Sequence, residues 1–267
     1  MTALALLGGG VMGEALLAAA LRGGLDPATV VVAEPDPARA ADLSERHGVA
    51  TAPVEAAVAG ADTVLVALKP GVVPGVMTQI ADHLAPGALV VTVAAGLPIA
   101  TYEARLPAGT PVVRVMPNTP ALVGKGASAL AGGTHASEDH LARAEALLAP
   151  TGLVLRVAEK DLDAVTAISG SGPAYVFYLI DALTEAGVLL GLTRDQAARL
   201  AVATFEGAST MAAGGEHPVL LRERVSSPGG TTVAALAELD RRGVRGALID
   251  AARAARDRSR ELGREAP

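Results

Sequence analysis

Cysteine and tryptophan are missing from the 267 residues, and three tyrosines and two phenylalanines are the whole aromatic content. Without cysteine there are no disulfides, thiolate metal ligands or cysteine nucleophiles, and the chain reads as one made for a reducing cytoplasm. Lysine is nearly absent too, with Lys69, Lys125 and Lys160 the only three. The nineteen arginines are scattered among acids and the formal charge is -6, so nothing favours nucleic acid as a partner. Long apolar runs are lacking. Residues 1–21 have no basic lead and are broken by three consecutive glycines and Glu14, unlike a secretory signal. Residues 164–180 carry Gly170, Gly172 and Pro173 and make a poor membrane span. A soluble protein with no membrane partner is expected.

What is plentiful is small and apolar. Apolar residues form 51% of the chain and charged ones 19%, enough for a well-buried core, and the length suits two domains. From residue 1 to about 157, short apolar runs alternate with helical patterns, the βαβ rhythm of a parallel sheet. Strands are predicted over 3–7, 30–33, 63–67, 89–93, 112–115, 127–130 and 153–157, mostly as continuous apolar runs suited to burial on both faces. Helices are predicted over 12–21, 37–47, 72–83 and 138–148. Beyond about 160 the β rhythm stops and helical periodicity takes over, with helices over 162–168, 173–190, 194–213, 218–225, 232–241 and 244–262. Residues 175–190 contain only Asp181 and Glu185 as charges, so this helix is expected to bury against others, of this or another subunit. The charged tail after Arg256 reads as a solvated helix end. The domains are therefore 1–159, a doubly wound α/β domain, and 160–267, all helical.

Between the first strand and the first helix stands Gly8-Gly9-Gly10-Val11-Met12-Gly13, a G-x-G-x-x-G in the context that makes it informative. Gly8 permits the tight turn, Gly10 lets a pyrophosphate approach the backbone, and Gly13 lets helix and strand pack. The helix N-terminus adds N–H donors. A nicotinamide dinucleotide is the expected ligand. Glu34 follows the second strand, where an acid accepts hydrogen bonds from the adenosine ribose. That favours NADH over NADPH, with Arg39 near enough to offset some of the repulsion of a 2′-phosphate; the plainer alternative makes Glu34 and Asp36 turn acids ahead of Pro37.

Four further segments carry a specific pattern: Ala67-Leu68-Lys69-Pro70; Met116-Pro117-Asn118-Thr119-Pro120; Ile168-Ser169-Gly170-Ser171-Gly172-Pro173-Ala174-Tyr175; and Val225-Ser226-Ser227-Pro228-Gly229-Gly230-Thr231-Thr232. With the glycine turn, and in this order, they resemble the pyrroline-5-carboxylate reductase family, which makes proline, over residues 3 to about 262. The resemblance implies a Rossmann-type N-terminal domain, a helical dimerisation domain, a homodimer with the active site at its interface, and assembly into decamers. It implies NADPH or NADH as cofactor, with the nicotinamide end at Ala67, Leu68, Lys69, Pro70, Ala94, Ala95, Gly96 and Asn118. It further implies that 1-pyrroline-5-carboxylate is held by Ser226, Ser227, Pro228, Gly229, Gly230, Thr231 and Thr232 of the partner subunit, with Thr232 as the catalytic hydroxyl beside the ring nitrogen.

From the residues alone, the loop 226–230 can turn several N–H groups toward one anion, or it can be an ordinary helix start capped by Ser or Thr. Lys69 follows a strand's C-terminal end, where open α/β sheets bind ligands, and Lys-Pro is also a common exit turn. Asn118 orients its loop or the nicotinamide amide, or makes an Asx turn. Glu216 and His217 line a site or cap the helix at Pro218. His47, His83, His135 and His140 show no metal spacing and read as exposed; no metal is expected. Ser171 lacks the G-x-S-x-G spacing of a hydrolase elbow and fits a tight helix start at Pro173. Two other functions compete: a β-hydroxy-acid-type dehydrogenase, which uses a helical lysine where this chain has none after Lys160, and a dinucleotide-sensing or scaffold protein, which has no need of an intact Ser/Pro/Gly/Gly/Thr loop.

Overall fold

The computed structural model describes residues 2–265. Eight strands, β1 (Thr2–Leu7), β2 (Val30–Ala33), β3 (Ala50–Thr51), β4 (Ala61–Val66), β5 (Leu89–Thr92), β6 (Val112–Met116), β7 (Gly126–Gly132) and β8 (Gly152–Arg156), form one sheet in the order β3-β2-β1-β4-β5-β6-β7-β8. The chain moves outward from β1 one way and then, from β4, the other, so the winding reverses between β1 and β4. Side chains along a strand alternate in direction, and the apolar runs fill both faces. Ala5, Leu7, Val64, Val66 and Val90 join one core with Tyr102, while Leu4, Leu6, Leu65, Leu89 and Val91 join the other with Leu16 and Leu17.

The helices on these faces are α1 (Val11–Arg22), α2 (Pro37–His47), α3 (Val54–Val58), α4 (Val73–Ile80), α5 (Ile99–Glu103), α6 (Glu138–Leu148) and α7 (Leu162–Val165). All pairings are parallel except β6 with β7, which is antiparallel. The sheet is therefore not wholly parallel as the rhythm implied. Only residues 117–125 separate the two strands, too few for the crossover of a dozen or more that a parallel return needs; they make a 3-10 turn, Thr119–Val123, ended by Gly124 in the left-handed region. The two-residue β3 and the five-residue α3 and α5 are missing from the sequence reading, being too short to show a period.

The chain forms two compact units: the first runs to Ser171 and includes the stretch from Ala255, the second is 172–254. The first boundary lies beyond residue 159 because Leu162 is buried in the sheet's core and Val165 packs against it. The last stretch is a second difference from the sequence reading.

The second unit holds α8 (Gly172–Leu189), α9 (Arg194–Ala213), α10 (Pro218–Arg224), α11 (Thr231–Arg241) and the first part of α12 (Val244–Glu265). Helices α8 and α9 pack where Gly187 meets Ala197; a Cβ on Gly187 would come within 2.6 Å of it. Thr193 and Gln196 close a capping box on α9. Little else is covered. Phe177 is 64% exposed, Tyr178 76% and Leu189 88%, so this unit carries apolar surface far beyond what a lone helical hairpin leaves in water. Among the described residues no helix is long and apolar enough to cross a membrane.

Candidate active site

The glycine turn sits where the sheet's winding reverses, the place at which open α/β sheets leave a crevice beyond their strand ends. Gly8 donates its N–H to Ala33 O (2.9 Å) and Ala67 donates to Leu7 O (2.8 Å), tying the turn to β2 and β4. Gly8 has φ +96, and a Cβ there would lie 2.6 Å from Ala67 O. At Gly13 a Cβ would lie 2.1 Å from Gly8 O, so α1 touches the turn through backbone. Around Gly10 a Cβ would meet nothing within 4 Å. Gly8 and Gly13 are thus required by the protein's own packing, whereas Gly10 faces open space at the start of α1, which has no side-chain cap. That cradle fits a dinucleotide pyrophosphate, with the turn's backbone and the first amides of α1 as its donors.

Glu34 reaches back to the turn. Its Oε2 accepts from Gly9 N (2.7 Å) and its Oε1 from Asp36 N (3.1 Å). Asp36 caps α2 through Ala38 N, so both acids make local turn contacts ahead of Pro37. Arg39 donates through Nε to Gly9 O (2.8 Å) and is paired with both Glu14 and Asp42. Glu14 also meets Arg46 (2.6 Å) and His47 (2.9 Å). Burial pushes the Glu14 carboxyl up, but hydrogen bonds from Arg39 and His47 and the charges of Arg39 and Arg46 outweigh it and hold the group below the ordinary glutamate value. Contact with Glu14 in turn raises Arg39. His47 is correspondingly not exposed, its side chain being 14% accessible; His140 is half-buried, closing a capping box with Ser137.

Past the turn, a cavity of about 500 Å³ opens at the C-terminal ends of β4 and β5, lined by Pro70, Gly71, Ala95 and Gly96. Its other walls are Thr166 and Ser171, at either end of a single π turn (Thr166–Gly170), and Ala255, Arg258, Ser259 and Leu262 of α12. The helix expected over 162–168 is therefore α7 followed by this wider turn, closed by Ser171 N to Thr166 O (2.7 Å). Ala94 is buried, and Lys69 is exposed at the strand exit, leading into a 3-10 turn. Asn118 is 8% exposed; its amide donates to Ser169 O (3.0 Å) and its carbonyl accepts from Ala127 N (2.8 Å). It orients the β6–β7 loop against the π turn rather than making an Asx turn.

The charged tail is the clearest correction. Ser259 is buried and donates to Asp163 Oδ1 (2.8 Å), and a Cβ on Gly263 would lie 3.0 Å from Gly96 O. The inner face of α12 packs here because Ala255, Ser259 and Gly263 recur every four residues; that stripe, read in place of the arginines, was the available signal.

In the second unit, the loop 226–232 turns through Gly229 (φ +67), and Gly230 N donates to Ser227 O (3.0 Å). Gly230 is the N-cap of α11 and no side chain caps it, so the Ser or Thr capping alternative is not what forms. Ser226 Oγ instead donates to Arg222 O (2.7 Å). Thr231 and Thr232 open α11, whose first amides have no side-chain cap. Glu216 pairs with Arg224 (2.7 Å) and His217 caps α10 through Val219 N. Among the described residues no group of three or more His, Cys, Asp or Glu could hold a metal.

Known proteins fit this division. Residues 159–262 match the family model for pyrroline-5-carboxylate reductase dimerisation, and residues 3–96 that for NADP oxidoreductase, coenzyme F420-dependent. A pyrroline-5-carboxylate reductase of Corynebacterium melassecola is 46% identical, the alignment covering 99% of this chain and 100% of that protein. One from Mycobacterium tuberculosis is 45% identical over 98% and 97%. The solved pyrroline-5-carboxylate reductase of Coxiella burnetii superposes with a TM-score of 0.93 at 34% identity, covering 98% of each chain. That of Plasmodium falciparum, solved with NADP bound, gives 0.87 at 28% identity, again over 98% of each. With a glycine cradle at the sheet's switch point, a helical unit rich in uncovered apolar surface and this likeness over its whole length, the chain belongs to the pyrroline-5-carboxylate reductase family.

Proposed function

We propose that this protein reduces 1-pyrroline-5-carboxylate to L-proline with a reduced nicotinamide dinucleotide. The observation that carries the reading is the open Gly10 position in a turn otherwise closed by backbone, in a chain aligned end to end with such reductases. The bound cofactor supplies a hydride, which adds to the carbon of the ring's C=N bond, C2 of the pyrroline and C5 of the proline formed, while a proton goes to the nitrogen, giving the secondary amine and the oxidised dinucleotide. An iminium carbon is already electrophilic, so the protein's work is orientation and proton placement.

In this reading Gly8, Gly9, Gly10, Val11, Met12 and Gly13 hold the pyrophosphate. Residues 67–70 and 94–96 bound the nicotinamide end, with Asn118 fixing the loop behind it. The substrate carboxylate meets the uncapped amides of loop 226–232 from the second copy of a homodimer, and the Thr232 hydroxyl faces the ring nitrogen. Dimers assemble further into a decamer, and the enzyme works in the cytoplasm. We infer NADH preference from Glu34, whose carboxylate stands at the end of β2, and from Arg39, whose charge is already matched by Glu14 and Asp42 and is not free for a 2′-phosphate. The Ser/Pro/Gly/Gly/Thr loop, intact in sequence, argues against a sensing or scaffold role, and the lack of lysine after Lys160 against a β-hydroxy-acid dehydrogenase. Steady-state kinetics with 1-pyrroline-5-carboxylate and each cofactor test both claims: turnover with a higher kcat/KM for NADH is expected, and a folded, cofactor-binding protein that leaves the imine unreduced would overturn the first.

A further inference from the structure

The end of α12 carries more charge than its packing uses, and part of that charge faces inward. Arg260 and Arg264, four residues apart and so on one side of the helix, line a cavity of about 370 Å³ together with Arg114 of β6 and Lys160, which precedes α7. The cavity lies wholly within the first unit. Asp163 is the one acid among the described residues that line it, and its carboxylate is already engaged, by the Ser259 hydroxyl at 2.8 Å and by Arg260 at 3.6 Å. Lys160 and Arg264 have no ion pair among the described residues. Four cations to one acid is the reverse of the whole chain, which has 22 Lys and Arg against 28 Asp and Glu.

Exposed cations alone read as solvated surface; Arg114 does not. Its side chain is 11% accessible, and a guanidinium so far from water needs partners for its charge and its donors. Of the five N–H groups it carries, one meets Glu159 Oε1 at 3.2 Å, and that oxygen is shared with Ile99 N at 2.7 Å. The others have no partner among the described residues and are not sealed in the core; they open on the cavity that the residue lines.

We propose that this cavity binds a phosphate dianion, free or carried at the end of a small metabolite. Arg114 supplies the planar fork that matches two phosphate oxygens, and Lys160, Arg260 and Arg264 supply charge. A carboxylate, with one negative charge, leaves most of the cluster unmatched. The site is separate from the pyrophosphate cradle at the start of α1, yet it borders the cavity past the glycine turn, because Gly96 and Ser259 line both. A bound anion ties the end of α12 to β6 and so holds Gly263 against Gly96, where a Cβ on Gly263 would lie 3.0 Å from Gly96 O. Phosphate therefore stabilises the fold and steadies one wall of the neighbouring cavity.

The test uses the full chain with inorganic phosphate as the probe at about pH 8, where phosphate is a dianion, against sodium chloride at matched ionic strength. Titration calorimetry should give saturable binding with a Kd of about 1 mM or below, and phosphate at about tenfold that concentration should raise Tm by about 3–6 °C. Lys160→Glu combined with Arg264→Glu, both at exposed positions, should weaken binding at least about tenfold and cancel the shift; should the pair fail to fold, Lys160→Ala alone should weaken binding about threefold. Gly10→Ala, which fills the pyrophosphate cradle, should bind phosphate as the wild type does. A response that the charge-reversed variant keeps, one that Gly10→Ala abolishes, or one that climbs without saturating and is matched by chloride, an adventitious ion only, overturns the proposal. Glycerol 3-phosphate separates the two sources: tighter binding than inorganic phosphate marks the head of a larger metabolite, equal or weaker binding marks the free ion, and either supports the site when the charge-reversed variant abolishes it. None of these readouts uses turnover, so the site stands or falls apart from the reductase reading.

Discussion

Replacing glycines of the turn by alanine separates two losses that a binding assay alone confounds. At Gly13 the new methyl would stand 2.1 Å from Gly8 O and 3.3 Å from Ala67 Cβ. The oxygen belongs to backbone hydrogen-bonded into the sheet, so α1 must withdraw by roughly 1 Å to restore van der Waals contact. Overpacking of this kind costs about 1–3 kcal/mol, which at roughly 2–4 °C per kcal/mol lowers Tm by about 2–12 °C. Gly8→Ala adds left-handed strain at φ +96 to a 2.6 Å contact with Ala67 O, and should be worse. Gly10→Ala meets no protein atom within 4 Å and has φ -66, so Tm should hold within about 1 °C. Its methyl occupies the cradle itself, and the Kd for NADH should rise at least about tenfold, or 1.4 kcal/mol. Scanning calorimetry and fluorescence titration on the three variants give both readings. A Gly10→Ala protein that melts early, or that binds NADH as the wild type does, would refute the assignment of that space to the pyrophosphate.

Asn118→Ala should destabilise the protein by about 1–3 kcal/mol in urea unfolding, because Ala127 N–H and Ser169 C=O lose a buried partner; an unchanged midpoint would remove the link between the β6–β7 loop and the π turn. Glu14→Gln removes a partner of Arg39, and the NADPH-to-NADH ratio of kcat/KM should rise; a ratio that stays put would mean that Arg39 takes no part in the discrimination. Thr232→Ala should cut kcat by about 10²-fold or more with NADH affinity retained, and wild-type kcat would end the hydroxyl's role. Tyr102, buried and bonded to Thr92, has its hydroxyl pushed up to about 12 by burial. The folded state thus holds this proton longer than the unfolded one, so its contribution to stability is complete below pH 10 and is lost as pH rises toward 12. Ultraviolet titration should show a tyrosine that ionises well above the ordinary tyrosine value of about 10.

The sheet was legible because short continuous apolar runs alternate with helical patterns, as strands covered on both sides do, and the glycine turn because its spacing sits between a strand and a helix. The antiparallel β6–β7 pair was legible in principle, since residues 117–125 are too few to cross over. The π turn was not: residues 166–170 have the composition of any helix, and the contacts of Gly170 with Met116 and of Ser169 with Asn118 are between residues some fifty apart in sequence. The tail was misread because arginines dominate its composition while Ala255, Ser259 and Gly263 do the packing. Glu34 was read for its position, and its bond to Gly9 N adds what position could not, namely that the acid braces the turn.

The most direct test of the reductase reading follows the hydrogen. Purified protein supplied with NADH deuterated at the nicotinamide C4, together with 1-pyrroline-5-carboxylate, should yield proline carrying deuterium at C5 on one face of the ring, seen by NMR. Proline with solvent hydrogen at C5, or no proline from a folded and NADH-bound sample, would contradict hydride transfer to the imine.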